Sequence, residues 1–229
     1  MYNGLADVSF RVGQACLKAN RDPSEITIVA VAKGRSAQEI QEVLQQGISD
    51  IGENKVQEAV LKFNQLSAIC HLPFAIKWHM IGHLQTNKVK DAVRIFDLIH
   101  SVDSLRLAEE IDRQAAKINK VQQILLQIKT SPEETKFGLS PDDAVLVIKQ
   151  IASLKNIKLK GLMTIAPLVS APEEARPYFR QLRELRDKIY SLKLTAYSLQ
   201  LSMGMSDDFE IAIEEAATII RLGRAIFER

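Results

Sequence analysis

The stretch Ile26-Thr27-Ile28-Val29-Ala30-Val31-Ala32-Lys33 sets seven apolar or β-branched residues ahead of a single ammonium. It is short and apolar on both faces, which is the pattern of a parallel strand covered on both sides. Ser36, with Glu39 three residues later, forms a capping box, and Ile40, Val43 and Leu44 supply a buried helical stripe that Gly47 ends. Strand then helix is the repeating unit of an α/β fold.

Working outward, the same alternation predicts strands near 48–51, 77–81, 97–100, 121–128, 158–163, 198–201 and 218–222. Helices are expected around 56–66, 86–93, 105–118, 142–154, 173–192 and 207–216. An additional N-terminal helix, with Leu5, Val8, Val12, Ala15 and Cys16 on its buried stripe, ends before Asp22-Pro23. Ser140-Pro141-Asp142-Asp143 and Ser206-Asp207-Asp208 read as helix starts, and Met203 and Met205 as packing residues. About eight strand and helix pairs in 229 residues point to a single (β/α)8 TIM barrel occupying 1–229.

Composition narrows the function classes. A net charge of +2 with 25% charged residues gives no reason to expect nucleic acid or a membrane surface. Arg176, Arg180, Arg183 and Arg186 alternate with glutamates as on a solvated helix face. Only Cys16 and Cys70 are present, which suits a reducing, cytoplasmic setting, and no apolar run is long enough to span a bilayer. A soluble, unprocessed monomer is expected.

In such a barrel chemistry sits at the C-terminal ends of the strands. The polar residues there are Lys33, Glu53 and Asn54, His79 and His83, His100 and Ser101, Lys129, Met163 and Thr164, Ser202, and Arg221, Gly223 and Arg224. Lys33 leads, because partial burial near Arg221 or Arg224 would favour the free amine that attacks carbonyls. A lysine reaching from the rim to water is the alternative. Gly223 and Arg224 open a short last helix beside Ser202, where barrels often bind phosphate, although Gly223 can also merely permit a tight turn. His79 and His83 are not assigned a metal, and His100 is expected to be a hydrogen-bonded histidine on the rim.

Seven segments carry a family resemblance: Val29-Ala30-Val31-Ala32-Lys33, Gly52-Glu53-Asn54-Lys55-Val56-Gln57-Glu58, Trp78-His79-Met80-Ile81-Gly82-His83-Leu84-Gln85-Thr86-Asn87-Lys88, Lys136-Phe137-Gly138, Gly161-Leu162-Met163-Thr164, Leu201-Ser202-Met203-Gly204-Met205-Ser206-Asp207-Asp208 and Arg221-Leu222-Gly223. With them the chain resembles the pyridoxal phosphate homeostasis proteins, the YggS/PROSC family, and its cyanobacterial members in particular. The resemblance implies an alanine-racemase-like barrel that holds pyridoxal 5'-phosphate (PLP) as an internal aldimine on Lys33. It also implies Asn54 near the ring, Arg221 at the pyridine nitrogen, and Ser202, Gly223 and residue 224 at the phosphate. Met163 and Met203 complete the expected cofactor-binding set. Many relatives carry threonine where this chain has Arg224, so a hydroxyl contact is missing.

An arginine at the ring nitrogen donates to a neutral nitrogen and supports carbanions poorly. Related racemases take a second base from a C-terminal β domain that these 229 residues do not contain, and Tyr2, Tyr178, Tyr190 and Tyr197 fall away from strand ends. The expected function is therefore PLP binding, buffering and delivery to PLP-dependent apoenzymes, with indirect effects on amino-acid and keto-acid balance. A weak PLP-dependent racemase or lyase is the alternative, and a cofactor-free Schiff-base enzyme acting on a sugar phosphate is a third reading.

Overall fold

A computed structural model describes residues 4–69, 75–131, 137–195 and 198–228. Cys70, Lys136, Tyr2 and Tyr197 lie outside these residues. The chain runs α1 (Gly4–Lys18), β1 (Thr27–Val31), α2 (Ala37–Gln45), β2 (Asp50–Glu53), α3 (Val56–Ile69), β3 (Lys77–Met80), α4 (Val89–Ile95), β4 (Leu98–Val102) and α5 (Leu105–Ala116). It continues β5 (Gln122–Gln127), α6 (Pro141–Ile151), β6 (Ile157–Met163), α7 (Arg176–Ser191), β7 (Gln200–Ser202), α8 (Phe209–Glu214), β8 (Ile219–Leu222) and α9 (Arg224–Phe227). The strands pair in chain order, all parallel, and β1 closes on β8 through Thr27 opposite Ile219 and Val29 opposite Arg221. The closed barrel is a TIM barrel.

Local chemistry starts the helices. Ser36 accepts from the Glu39 N–H while Glu39 accepts from the Ser36 N–H, completing the expected box before α2. Ser140 accepts from the Asp143 N–H with Pro141 at the first helical position of α6. The Ser206-Asp207-Asp208 reading needs correction: Asp208 makes no side-chain cap bond to α8 and its carboxylate instead accepts the Met205 N–H at 2.6 Å. Met205 is exposed, so it is not a packing residue.

Two apolar layers hold the barrel. Inside it, Val29, Leu98, Leu125, Met163 and Ile219 form a separate buried cluster. The larger cluster lies between strands and helices and includes Val12, Ile40, Leu44, Trp78, Phe96, Phe179 and Phe209. Each such side chain contributes roughly 1.5–3 kcal/mol by leaving water.

The first helix packs against α8 and α9. Gly4 lies so close to α9 that a Cβ there would sit 2.6 Å from the Ala225 carbonyl oxygen. Arg11 pairs with Glu210 of α8 at 2.6 Å, and Arg21 donates to the carbonyls of Ile213 and Ala217 at 2.9 and 2.7 Å. The arginines of α7 do not form a plain solvated face. Arg176, Arg180 and Arg183 converge on buried Glu215, and Arg176 also reaches Glu214, so their charge is consumed in docking α7 to the end of α8. Among the described residues no helix is long and apolar enough to cross a membrane.

Candidate functional site at the barrel mouth

Strand alternation decides which residues reach the mouth, since every second side chain faces inward. On the inward parity lie Val29, Val31 and then Lys33; Asp50, Gly52 and then Asn54; and Ile219, Arg221 and then Gly223.

Lys33 sits in the turn after β1 with its side chain exposed, not half-buried as the strand pattern suggested. The turn carries it beyond the layer that encloses Val29. No acceptor among the described residues bonds its ammonium; Glu58, already paired with Lys55 at 3.0 Å, is held below the usual carboxylate range first by Lys55 and more weakly by Lys62 and Lys33. The base of the turn is pinned. Lys62 of α3 donates to the Ala32 carbonyl at 2.6 Å and to Glu53, which is fully buried at the end of β2. Burial pushes the Glu53 carboxyl up, and Lys62 offsets part of that.

Arg221 is the opposite case. It is buried, and its guanidinium donates to Ser202 Oγ at 2.7 Å and to the Thr164 carbonyl at 2.9 Å. Thr164 is itself held, its hydroxyl bonding the Ile128 carbonyl and Thr130. Burial lowers Arg221 to about 10, with Asp208 opposing, so it remains a cation at neutral pH. A guanidinium has five N–H donors, and only two meet protein acceptors among the described residues.

The last loops offer bare donors. Among the described residues no protein acceptor takes the N–H of Gly223 or Arg224, whereas the Ala225 N–H bonds Ser206 Oγ at 3.2 Å. Gly223 has φ −103, and a Cβ there would lie 3.7 Å from its nearest neighbour, in Val31. Neither strain nor crowding requires glycine, so the tight-turn explanation fails; the missing side chain leaves space over the backbone donors. The Arg224 guanidinium turns away to pair with exposed Asp207.

The other expected residues divide. Asn54 is half-buried beside a cleft of about 230 Å³ shared with Lys55, His83 and Lys88. Its backbone is hugged by Gly82, where a Cβ would fall 2.3 Å from the Asn54 carbonyl oxygen. Met163 and Met203 are fully buried, Met163 in the inner layer and Met203 in the outer one. Ser202 is also fully buried, and its hydroxyl bonds Arg221 and His100.

His100 corrects a second expectation. β4 continues to Val102, so His100 is not a rim residue but a wholly buried one, at a step where the ladder to β5 shifts between Ile99 and Val102. Irregular steps of this kind re-aim side chains. From it a line of hydrogen bonds crosses the barrel: Ser202 Oγ to His100 Nδ1, His100 Nε2 to His79 Nδ1, and His79 Nε2 to Asp50 Oδ1, each 2.9 Å. Sequence reasoning missed Asp50 and Lys62. Their signals were present as a carboxylate set between the apolar Ile48 and Ile51 and a lysine on the Val56-Ala59-Leu66 stripe. His83 stands apart, on the rim, with Nδ1 3.3 Å from Asp103 and its ring stacked on Phe137.

Residues 17–228 match the family described as alanine racemase, N-terminal domain. A pyridoxal phosphate homeostasis protein of Aquifex aeolicus (strain VF5) is 42% identical over 226 residues, covering 97% of this chain and 95% of that one. The crystal structure of an unknown protein from Bifidobacterium adolescentis superposes with a TM-score of 0.92 at 36% identity, covering 98% and 93% of the two chains. PipY of Synechococcus elongatus PCC7942, solved with PLP bound, gives 0.82 at 36% identity over 96% and 99%. With barrel, mouth residues and near full-length similarity in agreement, the chain belongs to the pyridoxal phosphate homeostasis proteins of the alanine racemase N-terminal domain family.

Proposed function

We propose that this chain is a single-domain PLP carrier that binds, buffers and delivers the cofactor to PLP-dependent apoenzymes in the cytoplasm, and so influences amino-acid and keto-acid balance indirectly. The similarity to proteins named for pyridoxal phosphate homeostasis, and to PipY with PLP bound, supports the ligand. The observation that carries the reading is Arg221: a buried, doubly anchored guanidinium with unused N–H groups.

When bound, PLP supplies an aldehyde that condenses with an amine. Lys33 would provide that amine, being exposed and, among the described residues, without a bonded acceptor. Arg221 orients the ring by donating to its nitrogen, and as a permanent cation it leaves that nitrogen unprotonated. The N–H groups of Gly223 and Arg224 hold the phosphate, as oriented backbone donors do for anions. Asn54 borders the ring. Ser202, Met163 and Met203 shape the site from behind, and Ser202 acts through Arg221. The protein works as a monomer.

The test is an absorbance spectrum of purified protein incubated with PLP, before and after borohydride, with peptide mapping of the reduced adduct. A visible band that becomes a modified Lys33 peptide supports the reading; protein that stays colourless refutes it. Sustained conversion of any amino acid, followed by chiral product analysis, would establish an enzyme instead of a carrier.

A further inference from the structure

The line Arg221, Ser202, His100, His79 and Asp50 admits one arrangement of hydrogens that leaves no polar group unmatched. Arg221 only donates, so Ser202 Oγ accepts from it at 2.7 Å. The carboxylate of Asp50 only accepts: burial works to raise it, but bonds from His79 and Ser49 prevail and hold it below its ordinary value. His79 therefore donates from Nε2 to Asp50 at 2.9 Å.

Two possibilities remain for His100. If its Nδ1 carried the hydrogen, Ser202 Oγ would face two donors, and the hydrogen of this fully buried hydroxyl would have no acceptor among the described residues. An orphaned buried donor costs far more than a matched one gains. With the hydrogen on Nε2, every link is satisfied: Ser202 donates to His100, His100 to His79, and His79 to Asp50. His100 cannot hold both hydrogens, since burial and the nearby His79 and Arg221 drive it well below the usual histidine range.

We propose that His100 and Asp50 are positioning residues for ligand binding, which act from inside the barrel by holding Ser202 as an acceptor and so locking Arg221 toward the mouth. This rests on the reading of Arg221 as the donor to the ring nitrogen. Asp50 is the first residue of β2, at the floor, and Ser202 is the last residue of β7, at the mouth, so a carboxylate on one end sets the donor geometry on the other. Head-to-tail hydrogen bonds polarise one another in this low-dielectric interior. The charges facing the line are Lys77 beside Asp50 and Asp208 beside Arg221.

Asp50→Asn tests it, because a side-chain amide can donate to His79 and reverse the line, placing a His100 N–H against the same oxygen that Arg221 needs. The expected result is PLP retention weakened on the order of tenfold, about one hydrogen bond's worth, with a shifted visible band. Direct binding of inorganic phosphate to the PLP-free protein, which reads only the backbone donors, stays as in the unmodified protein. Unchanged PLP retention and spectrum overturn the proposal, and so does equal loss of PLP and phosphate binding, which would mean general damage. Should Asp50→Asn not fold, histidine nitrogen NMR of the unmodified protein decides: His100 bare at Nδ1 and protonated at Nε2 supports the proposal, and the reverse tautomer defeats it. If the unmodified protein fails to take up PLP, the carrier reading falls, while the tautomer measurement still decides the direction of the line.

Discussion

Lys33 follows β1 and Arg221 lies in β8, two strands that pair directly, yet the two residues are held in opposite ways. Lys33 is exposed on a turn, with only its backbone pinned through Lys62, whereas Arg221 is buried and fixed by Ser202 and Thr164. The difference suits the two tasks proposed for them. An amine that must capture and release an aldehyde needs reach and freedom, while a donor that must recognise one ring atom needs its geometry fixed in advance.

Breaking the mobile half should have the largest effect. Lys33→Ala removes the visible band of the PLP-treated protein completely and leaves thermal unfolding unchanged, which absorbance and calorimetry on the same sample check. Next comes the pin beneath it. Lys62→Met strands the buried Glu53 carboxylate, and loss of one partner of a buried pair costs about 3–5 kcal/mol, readable in urea unfolding. Double replacement, Lys62→Met with Glu53→Leu, should recover much of that loss.

The fixed half is expected to respond more moderately. Arg221→Ala should weaken PLP retention by roughly tenfold or more and shift the band, as one charge-assisted donor is lost. The buried line beneath it also predicts a pH dependence. His100 is depressed in the folded state, so its contribution is fully present above the ordinary histidine value and is lost as pH falls. Stability should therefore decline as pH falls from 7.5 through 5.5, which urea unfolding at a series of pH values checks. Glu53 and Asp208, both raised chiefly by burial, change stability in the opposite direction. His100→Asn isolates the histidine: its acid-side slope should be flatter than that of the unmodified protein. The smallest effect belongs to Arg224→Ala. Its pair with Asp207 is exposed on both sides, so stability should change by less than about 1 kcal/mol and phosphate competition should persist through the backbone.

The barrel was legible because its signals are local. Apolar runs such as Val29 to Val31, the Ser36 and Glu39 box and the Ser140-Pro141 start each act within one turn of helix or a few residues of strand. Boundaries were less so. β2 starts at Asp50 and β4 extends through His100 and Ser101, because polar residues inside a small barrel look, in one dimension, like the ends of strands.

At the site, the residue types and their approximate places followed from the sequence, and the exposure of each did not. Lys33, Gly223 and Arg224 could be put at the mouth because they follow strands. That Lys33 is free, that Arg224 is spent on Asp207, and that Ser202 faces Arg221 and His100 instead of solvent depends on contacts between residues far apart in the chain. Periodicity determines which way a side chain points, within a few residues. What it meets there is decided only when eight strands close on one another, as when Asp50, His79, His100, Ser202 and Arg221, from five different strands, are brought into one line of hydrogen bonds.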